Sequence, residues 1–405
     1  MKVLIITYYF FQNEAIGSFR LRGLNKYLKD YGWEPTILTI KTNESEEVDC
    51  NVIKTEFADP IKTVKKKYKL NDNILSKLFL RVWLEINAYP DVQKKWIKTA
   101  VESGRKLLRE EQFDAIISSS SPISCHLIAH DLKKEFDIPW IADFRDLWTQ
   151  NHYYNYTPIR KFFERRLELG TLKNVDAITT VSKELSKDLE RLHKSKNIYT
   201  IHNGFDPEDV NLGMPLTSKF SITYTGQLYN KKRDPEDFFK VINELLEEEF
   251  LNSDDISVEL FCQEESWLFE EIKNLNLGNI VNINGTISHQ NSILQQRMSQ
   301  ILLLLMWNNP KEKGVCTGKI FEYLAAKRPI VSYGVVEGCV PTILSETNSG
   351  IAVNNKNDLK NLIKMHYNSY KNNGYVEFNS SNKILKFSQK TMAKKFNELL
   401  NKVSL

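Results

Sequence analysis

The sequence predicts an α/β protein of two domains, each built on a mostly parallel sheet covered by helices on both faces. Short β-rich apolar runs alternate with stretches of helical periodicity from end to end, the pattern of strand, helix, strand repeated. With 405 residues the chain is long for one core and comfortable for two domains of about 200 residues. The alternation pauses at FDPEDVNLGMPLTSK (205–219), where prolines and turn-forming clusters mark a linker. The expected domains are 1–205 and 206–385.

In the first domain the expected strands are VLIITYY (3–9), PTILTI (35–40), DAIISSS (114–120), PWIADF (139–144), DAITTVS (176–182) and IYTIHN (198–203). Segments 18–31 and 122–135 carry apolar residues at helical spacing between them. Residues 61–97 break this rhythm, with seven cations from Lys62 to Arg81 interleaved with Tyr68, Phe79, Trp83, Tyr89 and Trp96. Two readings stand for this insertion: a surface for an anionic membrane or a lipid-tethered acceptor, or a solvated helical insertion with core aromatics. The second domain repeats the pattern with SITYTG (221–226), ISVELFC (256–262), NIVNING (279–285), ILLLLMW (301–307), PIVSYG (329–334) and GIAVNN (350–355). Residues 386–405 end in Met392, Phe396, Leu399, Leu400 and Val403, an amphipathic helix expected to pack back on the first domain. Two such Rossmann-like domains facing each other place ligands in the cleft at the strand carboxyl ends.

Bulk properties exclude more than they assign. Fifty-five basic against 51 acidic residues give +4, too mild a charge to argue for nucleic acid. Cys50, Cys125, Cys262, Cys316 and Cys339 are odd in number, scattered and free of C-x-x-C, which predicts a reducing compartment and no zinc site. MKVLIITYYFF has one lysine and no small-residue cleavage site after it, so it reads as a buried first strand. No apolar run approaches the ~18 residues of a membrane span.

Three strand-to-helix junctions carry the candidate chemistry. In EKGVCTGKIFEYLAAKRPIVSYG (312–334), Gly314 and Gly318 stand one residue too close for a nucleoside-triphosphate loop, and Ile320 replaces the metal-binding hydroxyl. What remains is a helix N-terminus at Thr317, Gly318 and Lys319 suited to an anion, with Glu322 one turn on, within reach of sugar hydroxyls. In YTGQLYNKKRDP, Gly226 ends a strand and Lys231, Lys232 and Arg233 precede a helix start, a composition for a diphosphate bound without metal or for a solvated basic turn. At GSFRLRG, Gly17 and Ser18 allow a helix start to approach a ligand closely and are counted with the diphosphate-binding candidates, and Arg20 and Arg22 add charge; the plain alternative is a loop cap with surface arginines. Neither G-x-G-x-x-G, H-E-x-x-H nor D-x-D occurs.

GSFRLRGL, SSSSPISCHLIA, WIADFRDLW, VSKEL, HNGFDP, YTGQLYNKKRDP and TGKIFEYLAAKRPI follow one another in the chain, and with them the sequence resembles a GT-B glycosyltransferase of family 4, in the bacterial subgroup that builds capsular or O-antigen polysaccharide. The resemblance implies a nucleotide-diphosphate sugar donor on the second domain, a glycan or lipid-linked glycan acceptor on the first, retention of anomeric configuration, and neither metal nor other cofactor. It matches the lysine of a G-R-L-x-x-x-K diphosphate pattern to Lys232, although Gln227 stands at the arginine position and Arg233 is left to supply the charge. Of the family's paired glutamates, the second, on the ribose, matches Glu322, while the first falls on Gly314. ADFRD occupies the strand end that relatives present to the reacting sugar, which makes Asp143, Arg145 and Asp146 the catalytic candidates beside Lys232. An ion pair locking the cleft wall is the other reading of that cluster. Arg20 and His126 are placed on the acceptor side, with a packed histidine as the alternative for His126. The implied setting is cytoplasmic, peripheral on the inner face of the plasma membrane. Two competing readings are a sugar-nucleotide epimerase on the same scaffold and a silent nucleotide-sugar-binding scaffold protein.

Overall fold

The computed structural model describes residues 1–11, 16–42, 49–57, 60–67, 73–154, 156–208, 214–379 and 381–404. Tyr68 and Lys69 of the basic–aromatic insertion, residues 209–213 of the linker stretch, and the side chains of Lys62, Lys66 and Lys67 lie outside the described residues. The chain forms two compact units, one from the described residues of 1–202 with those of 392–405, the other from those of 203–391.

The first unit runs β1 (Lys2–Ile6), α1 (Ile16–Leu28), β2 (Glu34–Ile40), β3 (Asn51–Thr55), α2 (Pro60–Lys67), α3 (Ile74–Asn87), α4 (Trp96–Glu110), β4 (Ala115–Ser120), α5 (Ser124–Phe136), β5 (Trp140–Phe144), α6 (Pro158–Thr171), β6 (Ala177–Thr180), α7 (Lys183–Leu192) and β7 (Ile198–Thr200). Its sheet has the order β3-β2-β1-β4-β5-β6-β7 with every pairing parallel. The second unit runs β8 (Phe220–Thr225), α8 (Glu236–Glu247), β9 (Ile256–Phe261), α9 (Ser266–Asn274), β10 (Val281–Ile283), α10 (His289–Met298), β11 (Ile301–Leu305), α11 (Gly318–Ala326), β12 (Ile330–Tyr333), α12 (Cys339–Thr347), β13 (Gly350–Val353) and α13 (Lys356–Asn373). Its parallel sheet has the order β10-β9-β8-β11-β12-β13. In each sheet the strand order reverses once, between β1 and β4 and between β8 and β11. That is where the loops at the strand carboxyl ends diverge and leave room for a ligand.

A parallel sheet covered on both faces needs strands that are apolar on both sides, and β1 shows how KVLII meets that need. Leu4 and Ile6 pack with Trp96, Ala100, Ile128 and Leu132 of α4 and α5, whereas Val3 and Ile5 pack with Leu21 and Leu24 of α1 on the opposite face. The final helix, α14 (Gln389–Ser404), sends Met392, Phe396, Leu399 and Leu400 into that second cluster. Burial of each such side chain contributes about 1.5–3 kcal/mol.

Some elements differ from the sequence expectations. β3 was not anticipated, because NVIKT is short, half-polar and lies at the sheet edge. Within residues 61–97, for which both readings stay open, the aromatics divide between core and surface. Trp96 opens α4 fully buried, its indole Nε1 donating to Thr55 Oγ1 at 2.7 Å, while Phe79 is exposed. The scattered cysteines also contain a pair: Cys316 and Cys339, 23 residues apart, form a disulfide with their Cα atoms 5.6 Å apart. Sequence spacing could not show this, because it is the fold around β12 that brings the two residues together. Among the described residues, no helix is long and apolar enough to cross a membrane.

Candidate functional site

In the first unit the candidate residues gather at the carboxyl ends of β4 and β5 and the start of α1. Asp143, on β5, is fully buried. It accepts from Arg20 Nε at 3.0 Å, Arg20 Nη2 at 2.8 Å, Ser119 Oγ at 2.8 Å and Thr179 Oγ1 at 2.7 Å. A carboxylate has about four lone-pair sites, and all are engaged. Burial pushes the Asp143 carboxyl up, but the Arg20 charge and these hydrogen bonds outweigh it and hold it below the usual range. Arg20 itself is buried, donates Nη1 to the His202 carbonyl at 3.2 Å, and lies 5.2 Å from the Phe396 ring centroid.

Gly17 opens α1 beneath Arg145. A Cβ at Gly17 would stand 2.0 Å from Arg145 Nη1, so only glycine lets the guanidinium rest there. Arg145 is clamped in that position by donating Nε to the Ser120 carbonyl and Nη2 to the Ser121 carbonyl, both at 2.7 Å. Ser18 is buried, Arg145 is partly exposed and Asp146 is exposed. His126 is fully buried on α5, paired through Nδ1 with Ser118 Oγ at 2.7 Å and in ring contact with Phe144. Burial, with help from the Arg145 charge and against that of Asp143, pushes its pKa down to about 3, so the imidazole is neutral near pH 7. Gly17 is thus brought to Arg145 and Arg20 to Asp143, while His126 lies in the packing beneath.

The second unit assembles its candidates around the first turn of α11. Thr317 is the residue before the helix, and its side chain makes no capping bond. The amides of Gly318 and Lys319 that follow belong to the first turn, whose N–H groups have no partner within a helix. Gly226, at the end of β8, has φ +139°, and Lys319 Cε stands 3.5 Å from where its Cβ would be. Tyr323 fixes the helix against the sheet: its hydroxyl accepts from the Thr225 amide at 3.1 Å and donates to the Leu303 carbonyl at 3.2 Å.

Glu322, on the same turn, accepts from Lys319 Nζ at 2.9 Å and Gln296 Nε2 at 3.0 Å, with His289 Nε2 3.6 Å away. Burial pushes the Glu322 carboxyl up, but His289 and Lys319 outweigh it and hold the pKa at about 2. A carboxylate kept ionised and oriented at a helix start can accept from a vicinal diol. Lys319 is engaged with Glu322, so its charge is shared between that carboxylate and any anion at the helix start.

After Gly226 the chain passes through left-handed residues Tyr229, Asn230 and Lys231. Lys231 pairs with Glu271 at 2.5 Å. Lys232 is exposed, with its ammonium 4.8 Å from the ring centroid of Trp307, just past the end of β11. Arg233 lies 4.6 Å from the Tyr229 ring centroid. Gly314 is buried in a short 3-10 turn, Pro310–Gly314, so no side chain stands at that position. The disulfide at Cys316 ties the residue before Thr317 to the start of α12. Gln296, His289 and Tyr323 were missed by sequence reasoning. No motif marks them, and only the packing of α10 and β8 against α11 reveals them.

Residues 20–209 match the family model of Glycosyltransferase Family 4. No curated protein matches the chain. Among solved structures, sucrose-phosphate synthase from Thermosynechococcus elongatus shares 14% identity at a TM-score of 0.68, over 99% of this chain and 98% of that one. HepE of Anabaena, in complex with UDP-glucose, shares 13% at 0.62 over 99% and 100%. WaaG, a glycosyltransferase involved in lipopolysaccharide biosynthesis, shares 9% at 0.54 over 99% and 98%. At these identities the structural likeness establishes the fold alone, two parallel Rossmann-like sheets of the GT-B type. Residues 20–209, just under half of the chain, thus match Glycosyltransferase Family 4, on a chain whose fold is of the GT-B type.

Proposed function

We propose that the chain moves a sugar from a nucleoside-diphosphate donor to a growing, lipid-linked glycan in the assembly of a surface polysaccharide. The observation that carries the donor half is the ionised Glu322 at the start of α11, held by Lys319 and Gln296. In this reading Glu322 accepts from the ribose hydroxyls, the amides of Gly318 and Lys319 with Thr317 face the diphosphate, and Lys232 and Arg233 approach it from the end of β8. Gly226 keeps the strand end open for that approach. HepE, seen with UDP-glucose, makes UDP-glucose the first donor to try. WaaG, with its role in lipopolysaccharide biosynthesis, supports a glycan acceptor.

In the transfer step the bond from the anomeric carbon to the donor phosphate oxygen breaks and a bond to the acceptor oxygen forms on the same face. The departing diphosphate oxygen takes the acceptor proton, so no separate carboxylate base is required. Negative charge grows on the diphosphate, and Lys232 and Arg233 stabilise it without a metal. In the first unit, Arg145 above Gly17 and Ser18, together with exposed Asp146, are the groups of ADFRD that meet substrate. Asp143, Arg20 and His126 act as positioning residues, since their polar atoms are spent on, or packed among, protein partners.

A thermal-shift panel of nucleoside diphosphates and their sugars, with and without magnesium, tests this. Ligand bound only by the folded state raises the melting temperature. A shift with one base family that is indifferent to magnesium is expected. Shifts that require magnesium would overturn the metal-free step, and no shift with any nucleotide would overturn the donor site.

A further inference from the structure

We propose that α3 and α6 together form a docking surface for an anionic lipid bilayer, with the two helices lying in the membrane interface. The inference is independent of the donor site.

α6 is built inside out. Arg160, Glu164, Glu168 and Thr171, at helical spacing, are its buried residues. Their charges are satisfied within the protein: Arg160 Nε donates to Glu164 at 2.7 Å, Trp148 Nε1 donates to Glu164 at 3.0 Å, and His193 pairs with Glu168 at 3.2 Å. Ile159, Phe162, Phe163 and Leu169 face outward, Ile159 with 73% of its surface exposed and the two phenylalanines with more than half. A helix that spends its buried face on charges and its outer face on phenylalanines is arranged for an apolar neighbour outside the protein.

α3 presents a matching face. Leu75, Leu78, Phe79, Val82 and Ile86 recur at spacings of three or four and are all exposed, Leu75 at 76% and Ile86 at 70%. The two helices are joined where α3 ends and α6 begins. Arg160 Nη1 donates to the Leu84 and Glu85 carbonyls at 2.8 and 3.0 Å, and Thr157 Oγ1, before α6, donates to Glu85 Oε1 at 2.5 Å. Each helix has 14 residues and is therefore about 21 Å long.

Charge selects the occupant. The exposed described residues of α3 and α6 include Lys77, Arg81, Lys161, Arg165 and Arg166 and no Asp or Glu. Arg166 lies over the Phe162 ring, its Cζ 4.7 Å from the centroid, the posture of a long cation on an apolar body at an interface. Beside them a groove of about 400 Å³ is lined by Lys161, Arg165 and Arg191 with Pro158, Phe162 and Leu192, suited to a phosphate head group. A second copy docking through the same faces would set five cations against five. Anionic phospholipid supplies both the apolar layer and the opposite charge.

The test uses the full chain in sedimentation with vesicles of phosphatidylcholine alone and of an equal mixture with phosphatidylglycerol. The protein is expected to pellet with the mixed vesicles, less so at high salt. Each cation near such a surface contributes about fivefold to partition, so Lys161→Glu with Arg165→Glu should weaken binding at least about 25-fold. Phe162→Ser with Phe163→Ser should weaken it about tenfold or more, with an unchanged melting temperature because both side chains are already exposed. Absence of binding to mixed vesicles, or equal binding to both kinds, would overturn the proposal. So would a dimer in analytical ultracentrifugation that Phe162→Ser with Phe163→Ser dissolves while vesicle binding persists.

Discussion

Replacing Arg20 with methionine isolates the role of the Asp143 cluster. In the native protein Asp143 is fully buried and accepts four hydrogen bonds, two of them from Arg20. Arg20→Met keeps much of the apolar stem beside Phe396 and removes the only cation bonded to the carboxylate among the described residues. Asp143 then keeps only the Ser119 and Thr179 hydroxyls. Removing one partner of a buried ion pair costs about 3–5 kcal/mol. For a unit of this size each kcal/mol lowers the melting temperature by about 2–4 °C, so the expected loss is about 6–20 °C. The sign with pH is also fixed. Without Arg20, burial prevails and raises the Asp143 pKa above its unfolded value, and the neutral acid becomes the favoured buried form. The remaining stability is then fullest below the unfolded pKa and falls as pH rises through the raised one, so the deficit should be larger at pH 8 than at pH 5. Arg20→Met with Asp143→Leu removes both charges and should recover a large part of the loss. Differential scanning calorimetry at the two pH values reads all of this. A single-variant cost below about 1 kcal/mol, or a double variant no better than the single, would refute the positioning role and return Asp143 to direct contact with sugar.

Two further outcomes follow from the first unit. His126, held neutral with a pKa near 3 against an ordinary 6.5, contributes stability that is present above pH 6.5 and lost as pH falls toward 3. That loss is about 2 kcal/mol by pH 5. The drop in melting temperature between pH 7 and 5 should therefore be smaller in His126→Gln, and an equal drop would contradict the buried neutral imidazole. In Gly17→Ala the new methyl displaces the Arg145 guanidinium from the Ser120 and Ser121 carbonyls. Turnover, followed as release of the donor's nucleoside diphosphate, should fall about 10²-fold while the melting temperature moves by only a few degrees. Normal turnover would remove Arg145 from the site.

Much of the architecture could be read from the sequence because parallel strands buried on both faces must be continuous apolar runs, and ILLLLMW or VLIITYY can hardly be anything else. β3 escaped because an edge strand carries fewer buried side chains, and NVIKT lacks the signal. α6 reverses the usual inference: helical spacing would assign Phe162 and Phe163 to the core, yet Arg160, Glu164 and Glu168 occupy that face as a satisfied polar network. At the candidate site, the sequence shows the loop glycines and the cations at strand-to-helix junctions, where a ligand site competes with a loop cap or a solvated basic turn. The environments of the ionisable groups were not legible. Gln296 and His289 reach Glu322 across 26 and 33 positions of sequence, and Asp143 is neutralised by an arginine 123 residues away. Such pairings follow from strand order, which the sequence constrains only loosely.

Isothermal titration of UDP and UDP-glucose into the native chain, Glu322→Ala and Lys232→Ala tests the donor site most directly. Loss of a charged hydrogen-bonding partner costs about 1.5–3 kcal/mol, so Glu322→Ala should bind about 10–100-fold more weakly. Lys232→Ala should weaken UDP-glucose binding less than it lowers transfer, because its charge meets the diphosphate most strongly as the bond breaks. Binding by the native chain that Glu322→Ala leaves unchanged would contradict the ribose contact at α11, and with it the placement of the donor on this helix.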